Sequence, residues 1–222
     1  MENRLIISDN GKTLVHLLNN TATEITIPDG VTTIGSAAFA NCASLQSVNI
    51  PNSVTEICTS AFSGCTSLQK VTIPDSIKKI KSNTFNGCSS LQSVNIPNSV
   101  TTIEGSAFSG CQSLQSIDIP ESITTIESLS FSYCTSLKSV HMHSTKVENL
   151  KIELGVFQDV NMDECTIYVP AGTLQAYSNH PRFHEYKIAE RPREVKQPKQ
   201  EREESPGIID RLIRKVMRII FP

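Results

Sequence analysis

The chain has 222 residues, 38% of them apolar, no Trp and a formal net charge of −2. It is long enough for a real core, and no apolar run reaches the roughly 18 residues that a membrane span needs. Residues 1–186 carry 10 Lys/Arg against 16 Asp/Glu and residues 187–222 carry 10 against 6, so a mildly acidic body precedes a basic tail, and no nucleic-acid partner is expected.

The opening "MENRLIISDNGK" lacks the basic-then-apolar pattern of a signal peptide, which predicts a soluble, unexported, cytoplasmic chain. "LIISDNGKTLVHLL" reads as a hairpin of two apolar runs around Asp9-Asn10-Gly11, capping the chain over residues 1–21. From residue 22 a repeat begins. "EITIPDGVTTI" places Ile25 and Ile27 where Val48 and Ile50 stand one copy later. Phe39, Phe62, Phe85, Phe108 and Phe131 step by 23, as do Cys42, Cys65, Cys88, Cys111 and Cys134. Leu45, Leu68, Leu91, Leu114 and Leu137 keep the same step, and so do Pro51, Pro74, Pro97 and Pro120. A fixed period of this length is the signature of a repeat array.

Within one copy, "LxxVxIP" puts Val48 and Ile50 on one side of a short strand and Ser47 and Asn49 on the other, because strand side chains alternate. Proline then ends the strand. Val54, Ile57, Ala61 and Phe62 return along an opposite wall, so each copy is one coil of a solenoid. A lone coil has too few apolar side chains to offset the entropy of ordering 23 residues. Stacked coils pair their strands and share one core. The expected fold is therefore an α/β or mainly-β solenoid, a right-handed superhelix with a parallel β-ladder, over residues 22–141. Seven strands are predicted, near residues 25, 48, 71, 94, 117, 140 and 167. After Phe131 the period breaks, His143 stands where proline belongs, and residues 142–188 form an irregular last repeat and cap. Leu174, Tyr177, Phe183 and Tyr186 are its expected packing residues.

The phrase "SVTxIxxSAFSGCxSLQSVxIP" resembles the BspA-type leucine-rich repeat of bacterial surface proteins, over about residues 22–188. The resemblance implies a curved solenoid at the cell surface that binds proteins or extracellular matrix without catalysis, in contrast to the compartment suggested by the opening residues. The compartment stays open.

The cysteines number seven and include no CxxC pair. Five at one station predict a buried, reduced structural column. His141 and His143 can share a strand face and His180 and His184 a helix face, but Pro181 disfavours the latter, and surface histidines without metal are expected. No GxSxG elbow, Gly-rich phosphate loop or carboxylate pair recurs with a base. No catalytic residue, metal or cofactor is expected.

The outward row of the ladder is the predicted protein-binding surface. It comprises Ser47 and Asn49, Lys70 and Thr72, Ser93 and Asn95, Ser116 and Asp118, Ser139 and His141, and Thr166 and Tyr168, with Glu24 and Thr26 at its start. A lesser candidate is the basic spot of Lys78, Lys79 and Lys81 on the opposite wall, beside Glu56 and Glu104.

Residues 189–205, charged and nearly free of apolar side chains, read as a disordered linker. "SPGIIDRLIRKVMRIIFP" then reads as an amphipathic helix over residues 206–222. Ile209, Leu212, Ile213, Val216 and Ile220 share one half of its wheel with other apolar residues, and Arg211, Arg214, Lys215 and Arg218 lie on the other. Such a helix is too short to span a bilayer, but can lie on an anionic membrane, dock in a partner's groove, self-associate or fold back. Two readings follow. One is a non-catalytic module that binds through the ladder, and the other is an intracellular scaffold or membrane-peripheral protein whose tail makes the main contact.

Overall fold

The computed structural model describes residues 5–18, 21–184 and 186–191. The expected amphipathic segment and most of the expected linker lie outside the described residues. The chain opens with the predicted hairpin, β1 (Leu5–Ile7) antiparallel to β2 (Thr13–Leu17). Asn10 holds the turn between them, its side-chain oxygen accepting from the Ser8 hydroxyl and the Lys12 N–H.

Each following copy makes one circuit with two short strands. The front strands are β3 (Glu24–Thr26), β5 (Ser47–Asn49), β7 (Lys70–Thr72), β9 (Ser93–Asn95), β11 (Ser116–Ile119), β13 (Ser139–Met142), β15 (Thr166–Val169) and β16 (Ile188–Glu190). The back wall carries β4 (Thr33–Ile34), β6 (Glu56–Ile57), β8 (Lys79–Ile80), β10 (Thr102–Ile103), β12 (Thr125–Ile126) and β14 (Lys151–Ile152). Adjacent front strands pair in parallel and in register, Ser47 with Lys70 and Ile117 with Val140, for example. Hydrogen bonding in the front ladder is interrupted once, between β9 and β11, and in the back wall once, between β6 and β8.

The front ladder thus has one strand more than the seven expected. Ile188–Glu190 pairs in parallel with β15, so residues 189 and 190, expected to begin the linker, are strand. A second difference is that the hairpin does more than shield an open core. Its β2 joins the back wall directly, Thr13 beside Thr33 and Leu14 beside Ile34.

A third side is built from turns. The N–H of Phe39, Phe62, Phe85 and Phe108 each donates to a carbonyl of the next coil, at 2.8–2.9 Å. The rings stack face to face behind them, with centroids 5.0 to 5.5 Å apart from Phe39 to Phe131. Phe157 adds a sixth ring at 5.8 Å, although it follows Phe131 by 26 residues. The longer coil absorbs its extra residues in the 3-10 turn Val147–Asn149 and returns to register. Offset-stacked rings and the continuous apolar column around them supply most of the inter-coil attraction.

The cap closes with a short helix α1 (Leu174–Asn179). Tyr177 and Phe183 are fully buried there, and the Tyr177 hydroxyl donates to the Ser144 carbonyl at 2.9 Å. Tyr186 is partly buried and meets Phe157 edge-on. Leu174, expected in the packing, is exposed instead, because it opens the helix on the side turned from the core. The helix ends before His180, whose ring nitrogen reaches the Leu150 carbonyl, so His180 and His184 do not share a helix face.

Candidate functional site: the front ladder and its edge

Alternation in each front strand sends one set of side chains inward and the other out. Ile25, Val48, Val71, Ile117, Val140 and Ile167 are buried, while Glu24, Thr26, Ser47, Asn49, Lys70, Thr72, Ser93, Asn95, Ser116 and Asp118 are exposed. Up to β11 the row therefore points outward as expected. Beyond it the row sinks. Ser139, His141 and Tyr168 are half-buried, and Thr166, expected on the surface, is buried. Larger neighbours crowd this end: His141 and Tyr168 stack on each other, and Arg191 follows β16 to reach His143 and the Met142 carbonyl.

The row also changes character along its length. From β3 to β9 it is small and polar apart from Glu24 and Lys70. At its far end His141 stacks on Tyr168, centroids 5.1 Å apart and rings 10° from parallel. Burial lowers the His141 pKa, with Arg191 and His143 acting in the same direction and Asp118 opposing them.

Asp118 is held by a residue from the next coil. The His143 Nε2 lies 2.8 Å from Asp118 Oδ1, and its Nδ1 lies 3.2 Å from the Arg191 guanidinium. An arginine can only donate, so Nδ1 accepts and the proton sits on Nε2, donated to the carboxylate. Arg191 also donates to the Met142 carbonyl. The chain Arg191–His143–Asp118 ties three coils together at the ladder edge. It is available because His143 replaces the proline of the other coils and because β16 ends where Arg191 can reach back.

Of the basic spot on the back wall, Lys81 is engaged, whereas Lys78 and Lys79 are exposed. Lys81 pairs with Glu56 at 2.5 Å, and the Glu104 carboxylate accepts from the Ser82 N–H at 3.0 Å. Glu127 accepts from the Gly105 N–H at 3.0 Å and Glu153 from the Ser128 N–H at 3.1 Å. These carboxylates cap turns of neighbouring coils. Among the described residues no group of three or more His, Cys, Asp or Glu is placed to hold a metal ion.

A feature not anticipated from the pattern lies on the turn side. Leu129, Tyr133 and Leu154 expose 37%, 50% and 65% of their surface. Leu129 and Tyr133 have left-handed backbone, φ 61° and 56°. Other coils carry Ala37, Ser60, Asn83 and Ser106 at the first station, and Gly64, Gly87 and Gly110 at the second. Comparison of stations would have singled these two residues out.

The model of the BspA type leucine rich repeat region matches in six copies, over residues 17–138 and 60–180. The chain belongs to the BspA-type leucine-rich repeat family. Solved structures similar to this BspA-type protein include a leucine rich cell surface protein from Faecalibacterium prausnitzii A2-165, 38% identical, with a TM-score of 0.58. That match covers 62% of this chain and 37% of the other. A leucine-rich repeat protein from Bacteroides ovatus is 25% identical over 76% of this chain and 54% of its own, with a TM-score of 0.54. The T. pallidum leucine rich repeat protein is 25% identical over 84% of this chain and 95% of its own, with a TM-score of 0.58. The chain therefore spans little more than a third of the first of these relatives and about half of the second. No curated protein matches it. No helix of the described residues is long and apolar enough to cross a membrane.

Proposed function

We propose that this BspA-type chain is a non-catalytic adhesion module at a cell surface, and that it holds a protein partner along the front ladder. The observation that carries the reading is the ladder itself. From Glu24 to Asn95 the exposed side chains stand in parallel register on a buried apolar core, and Ser116 and Asp118 continue the exposed row beyond the interruption. Such a surface presents groups in fixed positions, so little conformational entropy is lost on binding. A depression of about 450 Å³ along Thr26, Ser47, Asn49 and Thr72 gives part of it a concave surface. The similarity to a leucine rich cell surface protein supports the compartment.

Lys70 is the cationic member of the row, flanked in register by Ser47 and Ser93. It supplies charge complementarity to an acidic feature of the partner, which contributes chiefly to specificity and association rate. Binding of the full chain to a panel of purified extracellular-matrix proteins tests the reading. Saturable binding to a panel member is expected, with association slowed several-fold by Lys70→Glu and unaltered by Lys79→Glu on the back wall. If no panel protein binds, or Lys70→Glu changes nothing, the ladder is not the contact surface.

A further inference from the structure

The edge of the front ladder carries a groove whose chemistry differs from that of the row. It lies beside the interruption between β9 and β11, where Val94 is only half-buried although Val48 and Val71 at the same station are buried. Asn95, Asn98, Asp118, Glu121 and His143 surround a depression of about 400 Å³, with Ile96 and Pro120 as its apolar floor. A second depression of about 300 Å³ shares Asn98 and Glu121 and continues to Ser144 and Lys146. Each lies within the range of small-molecule sites.

We propose that this groove binds a neutral saccharide. The lining decides the class of ligand. It offers carboxylate acceptors in Asp118 and Glu121, amides that both donate and accept in Asn95 and Asn98, and an ammonium donor in Lys146. A sugar ring presents hydroxyls that donate and accept in the same alternation, together with C–H faces that suit the small Ile96 and Pro120 floor. An apolar ligand would leave this polar lining unpaired, and an anion such as phosphate would meet two carboxylates.

Two observations separate the groove from an ordinary solvated edge. The first is preorganisation. Asp118 is fixed through Oδ1 by His143, which Arg191 holds in turn, yet the Asp118 side chain keeps 70% of its surface exposed. Its carboxylate is oriented without being covered, so a ligand hydroxyl meets an acceptor already in place. The second is the repeat register. Thr26, Asn49, Thr72 and Asn95 stand at the station of Asp118, whereas the station of Glu121 holds Asp29, Asn52, Asp75 and Asn98. The proline station holds Pro51, Pro74, Pro97 and Pro120 before it becomes His143. The scaffold does not require Asp118 or His143, since other coils fold with neutral residues or proline at those two stations, and the pair of carboxylate and imidazole is peculiar to this groove.

The groove shares Asn95 and Asp118 with the ladder, but the proposal does not depend on a protein partner. Its test uses the full chain and a panel of neutral di- and trisaccharides of glucose, galactose, mannose and N-acetylglucosamine. Saturation-transfer NMR and calorimetry supply the readout. At least one sugar is expected to bind saturably with a Kd of about 1 mM or tighter. The double variant Asp118→Thr/Glu121→Ser installs residues that other coils carry at these stations, Thr72 and Ser144, and should weaken that binding at least tenfold while the circular dichroism spectrum is retained. Lys70→Glu should leave sugar binding unchanged, so failure of the ladder reading and failure of this one are separable. Three results would each overturn the proposal: no saturable binding across the panel, full binding by the double variant, or preference for an anionic sugar over its neutral counterpart.

Discussion

The Cys88 thiol donates to the carbonyl oxygen of Phe62 in the preceding coil, at 3.2 Å, and the same oxygen accepts the backbone N–H of Cys65 at 3.2 Å. Cys65 reaches Phe39, Cys111 reaches Phe85 and Cys134 reaches Phe108 in the same way. Each of these four thiols thus bridges one coil to the next, using the second lone pair of a carbonyl that already has a partner. Burial pushes the pKa of Cys88 and of Cys134 up to about 12, and that of Cys165 to about 11.

A protonated, enclosed thiol is a poor nucleophile. Of the seven cysteines, all free, only Cys58 is not buried. Burial raises its pKa as well, with Glu56 adding to the effect, so it reacts slowly at neutral pH and faster as the pH rises. Titration of the native protein with a thiol-specific chromophore at pH 8 should show one accessible group, and titration in denaturant seven. A native burst of several thiols would mean that the column is open.

Tyr133 should be more stable as glycine. An L-residue in the left-handed region costs roughly 1–2 kcal/mol relative to the right-handed one, and glycine removes that cost while adding some freedom to the unfolded chain. Gly64, Gly87 and Gly110 occupy the same station at φ 71° to 73°. Tyr133→Gly is expected to raise stability by about 0.5–1 kcal/mol in urea denaturation, and Gly87→Ala to lower it by about 1 kcal/mol. A destabilised Tyr133→Gly protein would show that the half-exposed ring makes contacts worth more than its backbone strain.

His141 makes stability depend on pH. Its folded-state pKa lies below the ordinary 6.5, first because of burial and then because of Arg191 and His143, with Asp118 opposing. The unfolded chain therefore binds the proton more readily. Its contribution is complete above about pH 6.5 and is lost as the pH falls from there towards the folded-state value. The urea midpoint should drop between pH 7.5 and pH 5.5, and His141→Gln should flatten that drop. Parallel curves for the two proteins would remove His141 as the cause.

Much of the fold was legible because a repeat array is nearly one-dimensional. Leu68, Val71, Ile73 and Pro74 must match their counterparts one coil away, so periodicity placed the front strands from β3 to β13 and the cysteine column. The site was less legible. Asp118 and His143 are 25 residues apart, and His143 and Arg191 are 48 apart. No spacing rule links them, since Arg191 is brought to His143 only when β16 adds an eighth front strand. Thr166 was misplaced as well: alternation assigns it outward, but it is buried in the irregular last coil, where the regular step of 23 no longer holds.

What this sequence determined by itself is the coil. Alternation sends Val71 in and Lys70 out, proline closes the strand, and insufficient apolar area in one copy forces stacking on the next. Only the tertiary structure decided where that regularity yields. The hairpin completes the back wall, the ladder opens between β9 and β11, and Arg191 orients His143 against Asp118. Those outcomes depend on contacts between coils that differ from their neighbours. Periodicity describes what the coils share, whereas packing at the ends and in the irregular last repeat determines which polar groups are held in place and left open to a ligand.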